Sequence, residues 1–152
     1  MIAKFVKSLG YALNGIKIGI KEERNVRIDI VAAFYVSLFS KFYDLTLTQK
    51  VLLVFICFTV VGFELMNTAV EIAVDRPDKE HYMQAGQAKD TAAGGVLLVA
   101  AGAAAAGVML FWDIEVFKKI IAFFTANPIM IICLAVTLFA SYKFITYDKN
   151  KK

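Results

Sequence analysis

Five polar residues interrupt an apolar run near the middle of the chain: Glu64, Asn67, Thr68, Glu71 and Asp75, in the segment FELMNTAVEIAVD. At about 100° per residue their spacing gathers them within about 60° of Glu64 on one helix face. Carboxylates and amides in such a stripe can hold a hard cation, orient phosphates or take a proton. Ionisable groups in a membrane helix cost several kcal/mol each and usually face a protein interior or a wet pathway. Glu71 and Asp75 would be ordinary as wet residues near a helix end. Glu64 lies about two turns deeper than Glu71, and there a functional role is the stronger reading.

Two more clusters carry matching chemistry. KEERNVR at 21–27 holds Glu22, Glu23, Asn25 and Arg27, and GQAKD at 86–90 ends in Lys89 and Asp90. If all three segments meet on one side of a membrane, they supply carboxylates, amides and a lysine around one interfacial pocket. Carboxylates for Mg²⁺, a cation for phosphates and a deeper carboxylate near a lipid headgroup suit phosphoryl transfer. No Walker A motif and no kinase-type glycine-rich loop occurs, so a nucleotide site here would be unconventional.

The elements that must position these residues are membrane helices. Of 152 residues, 59% are hydrophobic, against roughly 45–50% in a soluble domain, and the mean hydropathy is +0.64. Charges are absent from 51–63, 91–112 and 122–142. The pattern predicts spans over about 28–43, 51–74, 91–112 and 128–147, the last with Pro128 at its start. The first is short, with Lys41 able to snorkel at its end. Gly94, Gly95, Gly102 and Gly107 make the third slim, which favours close helix packing or oligomerisation. A linker from 113 leads to the fourth span, which carries no evident chemistry, and Lys149–Lys152 read as a solvated basic tail. Cys57 and Cys133 read as buried small hydrophobes, and no cysteine or histidine spacing fits a metal site.

Ahead of the first span, residues 1–22 read as an amphipathic interfacial helix. Phe5, Leu9, Leu13, Ile16 and Ile20 recur at helical spacing, with lysines largely elsewhere. Gly10, Gly15 and Gly19 weaken it in isolation, so it should pack against something. A cleavable signal peptide is not expected, because the first long apolar run begins only after Arg27. Four spans would put 13 basic residues on the side of the termini and four on the other. That asymmetry predicts cytoplasmic termini. The net charge of +4 needs no nucleic-acid partner, since attraction to anionic lipid is enough.

At these residues the sequence resembles the prokaryotic diacylglycerol kinase family, which includes undecaprenol kinases of Gram-positive bacteria. The matching segments are GYALNGIKIGIKEERNVRID at 10–29, ELMNTAVEIAVD at 64–75 and AGQAKDTAAGGVLL at 85–98. The resemblance covers about residues 4–112 and implies an all-α integral membrane protein of the bacterial cell membrane. It implies a three-span core, to which the fourth span is additional. It further implies a homotrimer with shared active sites that phosphorylates a lipid alcohol using Mg²⁺ and ATP. By resemblance Glu64 matches the catalytic base, and Glu23 and Glu71 the carboxylates that hold Mg²⁺. Asn67, Asp75, Lys89 and Asp90 match the nucleotide and phosphate site. Tyr11 and Lys4 occupy places of nucleotide contact, and Asp29 an acidic position near the substrate. Ala93 stands where the family often has serine, which removes any hydroxyl contact there.

Three functions are weighed. The wording ERNVR and AKDTAAGG leans toward undecaprenol as the substrate rather than diacylglycerol. A non-enzymatic assembly or ion pathway should spread polar groups through the full membrane depth, whereas here they cluster at one end. His81, beside Tyr82, could border an adenine, but an exposed loop histidine is the expected role.

Overall fold

The computed structural model describes residues 1–75 and 82–147, so His81 and the tail lysines lie outside the described residues. Six α-helices follow one another: α1 (Ile2–Glu22), α2 (Arg24–Phe39), α3 (Leu47–Val74), α4 (Tyr82–Phe111), α5 (Ile114–Ala126) and α6 (Pro128–Ile145). A 3₁₀ turn, Ser40–Phe42, extends α2, and there is no strand among the described residues.

Three of these helices are long and apolar enough to cross a membrane: α3, α4 from Gln84, and α6. The helix expected as the first span is present, but α2 starts at Arg24 and its 16 residues rise only about 24 Å. A reciprocal capping box opens α3. The Gln49 amide donates to Thr46 Oγ1 at 3.3 Å, and the Thr46 amide donates to Gln49 Oε1 at 2.8 Å. This arrangement satisfies two donors that a helix start leaves orphaned.

The α3–α4 pair has the most extensive helix contact. Of the α4 glycines, Gly95 meets a side chain of α3, with Phe63 ring atoms 3.6 Å from where a Cβ would stand. Gly94, Gly102 and Gly107 have open space around them among the described residues. At the end of α2, the Tyr43 hydroxyl donates to Phe111 O of α4 at 2.8 Å.

The interfacial helix is continuous through its glycines. Phe5, Leu9, Leu13 and Ile16 are exposed within the chain, which suits a helix lying on an apolar surface. It reaches α3 through its last turn. Gly19 is buried, and a Cβ there would collide with Leu65 Cδ2.

The segment expected as a linker forms α5. Asp113 caps it, accepting from the amides of Glu115 at 2.9 Å and Val116 at 3.3 Å. Phe123 and Phe124 then pack on Phe42 and Phe39, with ring centroids 5.3 and 6.4 Å apart. The two cysteines are free, but only Cys57 is partly covered; Cys133 is exposed on α6. Burial was expected from the apolar run around it, yet a membrane helix can turn such a run outward.

Candidate functional site

The stripe on α3 folds as its spacing predicts, and its deep end is its most enclosed part. Glu64 and Thr68 are 7% and 5% exposed. Thr68 Oγ1 donates back along the helix to Glu64 O at 2.9 Å, which satisfies the hydroxyl locally. The Glu64 carboxylate has no hydrogen-bond donor among the described residues. Its electrostatic neighbours are Asp29, Glu23 and Glu71. Helices α1 and α2 meet at Glu23, so the α1–α2 junction and the α3 stripe do converge.

One turn further along α3, Asn67 Nδ2 donates to Glu71 Oε1 at 2.9 Å. Among the described residues Asn67 Oδ1 is buried without a partner, and so is Asp29 Oδ2. Asp29 also lines an apolar cavity of about 250 Å³ between α2, α3 and α4, walled by Val36, Leu53, Val60 and Ala103 among others. The site therefore has a polar end, at Glu64 and Glu71, adjoining an apolar one.

The third cluster arrives through α4. Lys89 Nζ meets Asp75 Oδ1 at 2.6 Å, joining the C-cap of α3 to the first turns of α4, and Glu71 is also within electrostatic reach of Lys89. The row Glu64, Glu71, Lys89, Asp75 thus runs from an enclosed carboxylate to an exposed ion pair.

Not every expected residue joins it. Tyr11 is exposed on α1, with Lys7 Nζ 5.9 Å from its ring centroid. Asp90 is exposed and makes no hydrogen bond or ion pair among the described residues. Among those residues, no group of three or more His, Cys, Asp or Glu side chains is placed to hold a metal. Glu23 and Glu71 offer two carboxylates, not a complete protein cage.

Thr68, expected in the stripe, belongs to its enclosed part. One contact escaped the sequence reading. Arg27 is buried at the α1–α2 junction and donates to Ile145 O of α6 at 3.3 Å. No local pattern announces a contact across 118 residues.

Comparison with known proteins finds a matching family. The family model described as prokaryotic diacylglycerol kinase matches residues 10–111. The diacylglycerol kinase of Escherichia coli (strain K12) is 28% identical over 110 residues, covering 72% of this chain and 90% of that protein. The undecaprenol kinase of Bacillus subtilis (strain 168) is 31% identical over 108 residues, covering 71% of this chain and 88% of that protein. No solved structure matches the chain. Glu23, Asp29, the α3 stripe and Lys89 lie inside the matched residues, while α5 and α6 lie beyond them. The chain belongs to the prokaryotic diacylglycerol kinase family, a family of lipid kinases.

Proposed function

We propose that the protein transfers the γ-phosphoryl group of ATP to the hydroxyl of a membrane lipid, undecaprenol, with Mg²⁺ as the required cation. The observation that carries this reading is Glu64: an enclosed carboxylate with no donor among the described residues, next to Glu23, Asp29 and Glu71. A lipid alcohol has a pKa far above neutral, so a carboxylate is most useful as a proton acceptor in the transition state. The hydroxyl oxygen bonds to the γ-phosphorus, the bond to the ADP oxygen breaks, and the hydroxyl proton passes to Glu64.

The donor set suits magnesium. Mg²⁺ keeps several waters and takes one or two carboxylates plus substrate phosphates, so it needs no all-protein cage. Glu23 and Glu71 supply those carboxylates, and the bound ion would neutralise phosphate charge. Asn67 orients Glu71. Lys89, held beside Asp75, is the cation for phosphate oxygens. Tyr11 and Asp90 complete the nucleotide site in this reading, with α1 folding over it.

The reading also fixes a membrane arrangement. With its 3₁₀ turn, α2 covers residues 24–42, rising about 30 Å, the thickness of a hydrocarbon core. In this arrangement four crossings put both termini in the bacterial cytoplasm, which the basic-residue asymmetry supports. The open glycine face of α4 supports assembly, which we take to be a homotrimer with shared sites. Preference for undecaprenol rests on the ERNVR and AKDTAAGG segments and on the similarity to the Bacillus subtilis undecaprenol kinase. Phosphate transfer from ATP, with undecaprenol and diacylglycerol offered in parallel micelles, tests it. Faster transfer to diacylglycerol would overturn the substrate, and transfer to neither would overturn the kinase reading.

A further inference from the structure

Arg27 ties together two helix ends that are far apart in sequence. Its Nη1 donates to Ile20 O at 2.9 Å and to Lys21 O at 3.1 Å, both in the last turn of α1. Its Nε donates to Ile145 O at 3.3 Å, the final residue of α6. The guanidinium is well covered, the residue being 6% exposed. Among the described residues the ion pairs lie elsewhere, at Lys89–Asp75 and Lys118–Glu115. Carbonyls at a helix C-terminus lack intrahelical donors and carry the negative end of the helix dipole. A cation with a rigid fork of N–H groups can satisfy two such ends at once, which a single ammonium cannot do equally well.

Glu23 sits at the junction this fork braces. It is the residue between α1 and α2, with extended backbone (φ −106°, ψ 122°), and its amide closes α1 by donating to Gly19 O at 2.9 Å. Its side chain caps neither helix. It is therefore positioned by whatever holds the two helix ends, and Arg27 holds one of them. Helix α6 is outside the matched residues 10–111. It docks on α2 through this bond and through Tyr35 Oη and Ser141 Oγ, 3.3 Å apart.

We propose that Arg27 is a positioning residue through which α6 braces the α1–α2 junction, so that the additional helix sets how Glu23 is presented to the divalent cation. This rests on the reading of Glu23 as a magnesium carboxylate. The guanidinium itself touches no reacting atom. Its contribution is the angle and depth of the junction.

The test uses the full chain in detergent, with Mn²⁺ as the probe. Mn²⁺ binding in the presence of ATP and absence of lipid is followed by electron paramagnetic resonance, beside Mg²⁺ titrations of phosphate transfer. Arg27→Lys should weaken Mn²⁺ binding about tenfold, the low end for losing an outer-shell partner, with half-saturating lipid unchanged. Phe144→Pro, which displaces the Ile145 carbonyl without touching the site, should shift binding the same way. Because both act through one contact, the double variant should be no worse than the larger single. Unchanged Mn²⁺ binding in either single variant, or shifts that multiply, would overturn the proposal. Amide hydrogen exchange reads the brace without any metal: Arg27→Gln should speed exchange at 20–24 and 142–147 together. Acceleration confined to one of these segments would also overturn it. If Glu23→Gln leaves Mn²⁺ binding intact, the metal reading of Glu23 fails, and this cation-directed proposal falls with it. Joint acceleration in that case would still locate the failure in the metal assignment and not in the brace.

Discussion

Asn67 holds Glu71 from one turn away, its Nδ2 donating to Oε1 at 2.9 Å while its own Oδ1 is buried without a partner among the described residues. The bond fixes one carboxylate oxygen and leaves the other free to meet a cation. Asn67→Ala should raise half-saturating Mg²⁺ about tenfold, as loss of an outer-shell partner does, while costing only about 1 kcal/mol of stability. Glu71→Gln should shift the Mg²⁺ titration further. A titration unmoved in Glu71→Gln would remove that residue from the metal site.

Glu64 is the most enclosed carboxylate of the stripe, and its neighbours are other carboxylates rather than donors. A group acting as proton acceptor should be dispensable for binding. Glu64→Gln is therefore expected to lower the transfer rate by about 10²–10⁴-fold and to leave Mg·ATP binding in place. Calorimetry on the folded variant checks this, and loss of ATP binding would mean that Glu64 belongs to the nucleotide site.

Lys89 and Asp75 form an exposed ion pair, and exposed pairs contribute little to stability. Lys89→Ala and Asp75→Ala should leave the thermal midpoint unchanged yet raise half-saturating ATP. The charge-swapped double variant, Lys89→Asp with Asp75→Lys, keeps the pair but puts the cation on the wrong helix. It should stay impaired for ATP. Restored ATP dependence in the swap would reduce Lys89 to a structural partner of Asp75.

The stripe was legible because helical spacing is local: Glu64, Asn67, Thr68 and Glu71 share a face wherever that segment is helical. The meeting of Glu23 with Glu64 was expected from hydropathy, which placed the start of one span and the end of another on one side. Three features had no such signal. Arg27 looked like one more basic residue at a membrane edge, since its partners are backbone carbonyls that any sequence provides. The helix α5 was read as linker because its 13 residues are too few to span and its charges fall at its start. Tyr11 carries no spacing signal of its own and enters by resemblance alone, and within the single chain it is exposed on α1.

Gly19, the buried residue of α1, packs against the stripe-bearing helix, and the atom a side chain there would displace is the tip of Leu65, not backbone. That distinction sets the sign of the substitutions. Gly19→Ala gains about 1 kcal/mol of helix propensity and needs only a rotation of Leu65, so its stability should be near that of the unaltered protein. Gly19→Val adds branched bulk that Leu65 alone cannot absorb, and overpacking of this kind costs about 1–3 kcal/mol. It should also lift the last turn of α1 away from α3 and carry Glu23 with it, raising half-saturating Mg²⁺. Leu65→Ala opens the space again, so the Gly19→Val, Leu65→Ala double variant should recover cation affinity even if part of the stability is lost to the smaller side chain. Thermal midpoints and Mg²⁺ titrations on the four proteins separate the two effects. Recovery of neither would show that the register of α1 on α3 does not set the position of Glu23.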